Sequence, residues 1–223
     1  MHYMKKRYFY CGVILSLFYF LVACNSNYTS KKTGYYKIGL PEHKYVAFNN
    51  PSFPYSFEYP EYAAIIQDSS YFDSTPENSY WINVDFPTLH ARVFLSYKII
   101  GGKALYKTKQ ANGKYKDSIG INQFDRMVKD AFNLTNKNDV LASSISDSLF
   151  RTAKGITGIF FKVGGNAATS QQFFLSDSTR HFLRGALYFD ATPNADSLKP
   201  VEVFLQKDIE HLINTFEWKE QKD

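Results

Sequence analysis

The chain has 223 residues, 44% hydrophobic and 17% aromatic, which is enough to bury the core of one domain. Its net charge is +5, but the first 23 residues hold three of the 26 basic side chains and none of the 21 acidic ones. The remainder, with 23 basic against 21 acidic residues and no dense basic cluster, gives no reason to expect a nucleic-acid partner.

The first 23 residues have the layout of a secretory signal peptide. Lys5, Lys6 and Arg7 precede an apolar stretch of about sixteen residues that ends in Leu-Val-Ala before Cys24. A membrane-spanning helix needs about twenty such residues. Leu-Val-Ala-Cys also resembles the lipobox of bacterial lipoproteins, which implies that Cys24 receives diacylglycerol. An ordinary signal peptide or an uncleaved anchor is the alternative.

The cysteine positions limit the chemistry of the body. Cys11 lies inside the signal and Cys24 at its end, and the chain has no others. The body therefore has no thiol for catalysis, zinc binding or a disulfide. We expect residues 1–23 to be the signal peptide, residues 24–33 a polar tether and residues 34–219 a single domain.

Strand patterns dominate this domain. Residues 80–86 and 92–99 alternate apolar and polar side chains, which indicates strands with one face on a core. The predicted strands are, in chain order, 35–40, 45–48, 55–59, 80–86, 92–99, 141–150, 156–163, 170–175 and 181–189.

Two segments have helical periodicity. After Gly120, apolar residues recur at spacings of three, four and seven from Ile121 to Phe132 and predict a helix of about four turns. A second apolar stripe runs to Phe216, with Ser197 as N-cap and Pro200 in the first turn. The expected fold is α+β, a largely antiparallel sheet covered by two main helices in an α/β/α sandwich.

Catalytic groups are sparse. Ser178 and His181 near Asp177 have the residue types of a hydrolase triad, but three positions apart around a tight turn they are poorly placed to meet. The histidines lack the spacing of a metal pair. We therefore expect that the protein is not an enzyme and holds no cofactor or metal. We expect the side chains around Ser178 to form ordinary turn and cap hydrogen bonds.

One sheet face could bind a partner or ligand. Trp81 and Asp85 share the polar face of a predicted strand, and Arg184 is expected on a neighbouring hairpin. Asp85 and Arg184 could form a ligand clamp. The expected alternative is a cross-strand pair that contributes only a few tenths of a kcal/mol.

An Asp-Ser pattern followed by Thr, Ile or Leu recurs along the chain. It resembles the O-glycosylation acceptor site in exported proteins of some gliding bacteria, while turns and N-caps are the ordinary explanation. The candidate sites are Ser74, Ser118, Ser148, Ser178 and Ser197.

Several motifs, in this order, resemble the GldD family of gliding-motility lipoproteins. They include Tyr-Ser-Phe-Glu-Tyr-Pro at 55–60 and Tyr-Trp-Ile-Asn-Val-Asp-Phe-Pro at 80–87. The others lie at 95–98, 165–189, 193–200 and 211–219. The likeness covers most of the chain from about Gly34 and is densest after Gly165. At fold level the strand and helix order also resembles PsbP/Mog1-like sandwiches.

The resemblance implies a cell-envelope lipoprotein required for gliding, with partners in the gliding and type IX secretion machinery. It implies a lipid anchor on the periplasmic side of the envelope, at the outer membrane, and supplies no catalytic residues. The alternative is a periplasmic lipoprotein that binds a small molecule or glycan on the aromatic-rich face around Trp81.

Overall fold

The computed structural model describes residues 38–67, 77–138 and 140–220. The predictions for the signal peptide, the tether, Cys24 and Ser74 lie outside these residues. Residues 38–40 of the first predicted strand are described and are not a strand. Gly39 has no side chain to pack, and Pro41 cannot donate a ladder hydrogen bond, so strand pairing is disfavoured there.

The described residues form twelve strands, two α-helices and one short 3-10 helix, Pro87–Leu89. The strands are β1 Tyr45–Phe48, β2 Tyr55–Pro60, β3 Ala64–Gln67, β4 Ile82–Phe86, β5 Ala91–Ile99, β6 Lys103–Lys109, β7 Tyr115–Ile121, β8 Ala142–Arg151, β9 Thr157–Gly165, β10 Gln171–Ser176, β11 His181–Phe189 and β12 Glu217–Trp218. The helices are α1 Phe124–Asn136 and α2 Ala195–Thr215.

The strands form three antiparallel groups. Seven strands make the main sheet in the order β3-β4-β5-β11-β10-β9-β8, and β1-β2-β12 make a second sheet. Strands β6 and β7 form a separate hairpin. The α+β prediction is confirmed, while β3, β12 and the β6–β7 hairpin were not predicted.

The main sheet has a packed core on each face. On one face Leu95, Leu183 and Leu187 pack with α2 residues such as Leu205 and Ile209. On the other, Phe161, Phe174 and Phe182 pack with Met127 and Ala131 of α1. Because side chains alternate along a strand, neighbouring residues of β10 and β11 supply both cores. The helices thus lie on opposite faces, as the predicted α/β/α sandwich requires.

The helix boundaries correct two expectations. Ile121 ends β7, and α1 begins at Phe124. The N-cap of α2 is Asn194, whose side-chain oxygen accepts the backbone N–H of Ser197, so Ser197 lies in the first turn. Pro200 is consequently inside the helix. Asn and Ser are comparable N-caps, so sequence alone did not separate them.

A buried carboxylate joins α2 to the N-terminal strands. The Tyr45 hydroxyl donates to Asp208 Oδ1 over 2.9 Å, and the Tyr62 hydroxyl donates to Oδ2. His43 Nδ1 lies 2.6 Å from Oδ1. Burial, together with the bonds to Asp208, raises the pKa of Tyr45 and Tyr62, so both hydroxyls keep their protons and donate. Asp208 itself is 2% exposed.

Replacing Asp208 by Asn tests this connection. A side-chain amide has one acceptor oxygen where the carboxylate has two, so one of the three neighbouring groups, on Tyr45, Tyr62 or His43, loses its acceptor. We expect the free energy of unfolding to fall by about 2 kcal/mol. Glu210→Gln is the matched control, because that carboxylate is exposed on the same helix and, among the described residues, accepts only from Gln206. We expect the control to change stability by less than about 0.5 kcal/mol. Equal effects in urea titrations of both variants would rule out this role for Asp208.

Candidate partner and ligand groove

Helix α1 covers only part of its sheet face and leaves a groove beside it. The groove has a volume of about 460 Å³. Trp81, Phe182 and Met127 supply apolar lining. Its charged lining residues are Lys98 and Arg184 from the sheet and Asp130 and Lys137 from the α1 side. An apolar surface with a few charged groups is typical of a site that binds a protein side chain or a small molecule.

The strand register places the two sheet cations together. In the β5–β11 pairing, Lys98 is opposite Phe182 and Arg184 is opposite Ser96. Residues directly opposite in a ladder point to the same face, and so do residues two apart along one strand. All four therefore face α1.

Internal hydrogen bonds fix these cations. The Lys98 ammonium pairs with Glu77, and Arg184 Nη2 donates to Gln172 Oε1. Gln172 is buried, and its Nε2 donates over 2.6 Å to Thr169 Oγ1. The groove therefore has charged side chains in fixed positions, which lowers the entropy cost of binding.

Trp81 is fixed in a similar way. Its indole N–H donates over 2.8 Å to the backbone oxygen of Tyr97 in β5, and only 8% of the residue is exposed. The same carbonyl accepts the side-chain amide of Asn78 over 2.9 Å. Trp81 and Arg184, two of the three residues singled out from the sequence, thus line one groove.

The third residue, Asp85, has a different partner from the one considered. Arg92 Nε donates to Asp85 Oδ1 over 2.7 Å across the β4–β5 ladder. Arg184 lies on β11, and β5 separates β11 from β4. The Asp85–Arg184 clamp is therefore not formed. Strand order is a non-local property, so alternation along each strand could not reveal it.

The Ser178 and His181 side chains do not form a catalytic pair. Asp177 Oδ1 accepts the backbone N–H groups of Thr179, Arg180 and His181 at 2.8–3.0 Å, an ordinary use of Asp in a turn. Burial raises the pKa of Asp177, but these three bonds outweigh burial and hold it below its usual value. Ser178 is exposed at φ +63°.

His181 is directed into the core instead. Its Nδ1 lies 2.6 Å from the Tyr97 hydroxyl, and its ring stacks on Trp218 with centroids 4.9 Å apart. Burial lowers the pKa of His181, against the attraction of Asp177. His181 therefore acts as a neutral core residue that joins β11 to β5 and β12.

The Asp-Ser serines differ in accessibility. Ser148, Ser178 and Ser197 are exposed, whereas Ser118 is half-buried and lies 2.7 Å from Thr108 Oγ1. Three of the four described candidates are thus open to a modifying enzyme, and their O-glycosylation stays a prediction.

Two further features concern only the described part of the chain. No helix there combines the length and apolarity needed to cross a membrane. No three His, Cys, Asp or Glu side chains converge there as metal ligands.

Comparison with known proteins gives a matching family and a similar solved structure. The family model described as gliding motility lipoprotein GldD matches residues 25–218. No curated protein matches the chain. The solution structure of cyanobacterial PsbP (CyanoP) from Synechocystis sp. PCC 6803 is similar at 10% identity, covering 81% of this chain and 95% of that chain with a TM-score of 0.39.

The lowered pKa of His181 predicts how stability depends on pH. The His181 imidazole binds a proton more readily in the unfolded chain than in the folded one. The neutral imidazole therefore stabilises the fold above the ordinary histidine pKa of about 6.5, and this stabilisation is lost as the pH falls below it. We expect His181→Gln to reduce the loss of unfolding free energy between about pH 7.5 and about pH 5, measured by urea titration.

His90→Asn is the control, because His90 is exposed at φ +47°, a conformation that Asn tolerates. It should keep the pH dependence of the parent. An unchanged pH dependence in His181→Gln would contradict a neutral, buried imidazole.

Proposed function

The chain belongs to the GldD family of gliding motility lipoproteins, and from this membership we propose a role in the assembly or stability of the gliding and type IX secretion machinery. The family places the protein in gliding motility and in the membrane-anchored part of the cell envelope. The finer proposal is a non-enzymatic protein on the periplasmic side of the outer membrane, which binds another envelope protein of that machinery.

Cys24 is the proposed attachment point. It follows Leu-Val-Ala directly after the apolar stretch, where a lipoprotein signal is cut. The family match begins at residue 25, the next residue. Diacylglycerol on the Cys24 thiol would therefore anchor the part of the chain that the family shares.

The observation that supports the partner role is that the cationic side chains of the groove are already held in fixed positions. Arg184 and Lys98 are held by neighbouring side chains beside the apolar ring of Trp81. Arg and Trp are enriched among the residues that dominate protein–protein binding energy. These cations are already held by structural partners, which supports a role in binding.

A small-molecule or glycan carrier is the second candidate, and the groove volume favours it. About 460 Å³ lies within the usual range for ligand sites, roughly 300–1,000 Å³. The ligand would carry an anionic group for Lys137 or Arg184 and an apolar part for the groove's apolar lining, such as Leu134 and Met127.

Replacing Cys24 by Ser tests the anchor. A serine cannot accept diacylglycerol through sulfur, so the variant should remain unacylated by intact-mass analysis and should fail to restore spreading on agar to a deletion strain. Cys11→Ser is the matched control and should spread normally, because Cys11 lies within the proposed signal peptide. Normal spreading of an unacylated Cys24→Ser protein would contradict the anchoring role.

Leu134→Glu tests the groove. Leu134 lines the groove and is 38% exposed, so a carboxylate there should disturb binding without unfolding the protein. We expect a loss of about 2 kcal/mol, or roughly 30-fold weaker binding to the partner captured by cross-linking from native envelopes. Lys129→Glu, at an exposed α1 position that does not line the groove, is the control.

Unchanged capture by Leu134→Glu would exclude the groove as the partner site. A native mass spectrum with a bound small molecule that disappears in Leu134→Glu would replace the partner role with the carrier role.

A further inference from the structure

The β6–β7 hairpin exposes an unusual apolar face. Its strands pair only with each other among the described residues, from Lys103 opposite Ile121 to Lys109 opposite Tyr115. Seven residues per strand give a ribbon about 23 Å long. A two-stranded ribbon has two open edges and is marginal by itself, so a contact must hold it in place.

Tyr106 holds one face of the hairpin against the body. Its hydroxyl donates to Asn122 Oδ1 over 3.0 Å and to the Ile121 backbone oxygen over 3.1 Å. The Arg126 guanidinium lies 3.9 Å from the ring centroid, a cation–π contact. The ring also covers Gly120, where an added Cβ would come within 2.7 Å of it. This face is therefore occupied.

The opposite face is uncovered. Leu105 and Ile119 are opposite each other in the ladder and are 67% and 76% exposed. Ile121 is 59% exposed and Tyr115 is 67% exposed. Removing such aliphatic side chains from water is favourable, so this face favours an apolar or interfacial environment.

The charge of the hairpin indicates which kind of partner, a protein or a bilayer, its exposed face contacts. Residues 103–121 contain five lysines and one aspartate, Asp117. Lysine is depleted in the cores of protein–protein interfaces. Lysines beside aliphatic and tyrosine side chains are instead typical of elements that lie in the headgroup region of anionic bilayers. Each lysine near such a surface adds to the electrostatic attraction.

The length of chain between Cys24 and the described residues allows this contact. From Cys24 to Lys37 there are fourteen residues, which span at most about 50 Å when fully extended. A lipid at Cys24 would keep the domain within that distance of its bilayer, at a high effective concentration, so a weak second contact can form.

We propose that the exposed face of the β6–β7 hairpin lies in the headgroup region of the anchoring bilayer and binds anionic lipid phosphates. Leu105, Ile119 and Tyr115 enter the interface, and Lys103 and Lys114 pair with the headgroups. The inference rests on the proposed lipidation of Cys24, which supplies the proximity.

Depth-dependent quenching tests this contact. With Cys24 acylated and Cys11 removed, Ile119→Cys introduces the one free thiol of the mature full-length lipoprotein. It is labelled with an environment-sensitive fluorophore and reconstituted into phosphatidylcholine vesicles with or without phosphatidylglycerol. The quencher is a lipid spin-labelled near the headgroup. The matched control is Val203→Cys on α2, 47% exposed.

We expect quenching at residue 119 to exceed that at residue 203 at least about threefold in anionic vesicles. We expect Lys103→Glu, on the same face as Ile119, together with Lys114→Glu in the turn, to remove the excess. Equal quenching at both positions on vesicle-bound protein would overturn the hairpin proposal and leave the anchor intact. Protection of residue 119 from solvent that occurs only when other envelope proteins are present would also overturn the hairpin proposal. Protein that does not float with the vesicles, or that takes a label at Cys24, would instead count against the anchor.

Discussion

The pairing of β5 with β11 at the centre of the main sheet determines the positions of both cores and of the groove. Because side chains alternate, Leu95 and Tyr97 face α2, while Ser96 and Lys98 face α1. The α2 face is filled by a large aromatic and aliphatic core. The α1 face receives a smaller core and keeps a groove. A register shift of one residue would exchange these faces, so core burial and the groove depend on the same ladder.

The two proposed contact surfaces are joined at one buried residue. Asn122 lies between β7 and α1, is 2% exposed, and accepts the Tyr106 hydroxyl at the base of the hairpin. Its Nδ2 donates over 3.5 Å to Glu77, which also pairs with Lys98 in the groove. A bilayer at the hairpin and a partner in the groove would thus both act on the α1 side. The Asp208 connection keeps α2 and the N-terminal strands together on the opposite side.

Sequence patterns gave the parts of the fold that bury one apolar face. Residues 92–99 alternate cleanly and form β5, because Val93 and Leu95 must be buried while Ser96 need not be. The β6–β7 hairpin gave no such signal, since its large aliphatic residues Leu105, Ile119 and Ile121 are exposed and lysines interrupt the pattern. The Asp208 connection and the Asp85–Arg92 pair depend on which segments meet in space. Only Trp81 and Arg184 of the groove were found from sequence, through strand alternation.

Photo-cross-linking in living cells tests most directly whether the α1 side is the contacting side. A photoreactive phenylalanine analogue would replace Leu134 in the groove and, separately, Val203 on the exposed surface of α2. The account predicts a covalent adduct with an envelope protein from position 134 and none from position 203. Adducts from position 203 alone, or from neither position in cells that still glide, would contradict it.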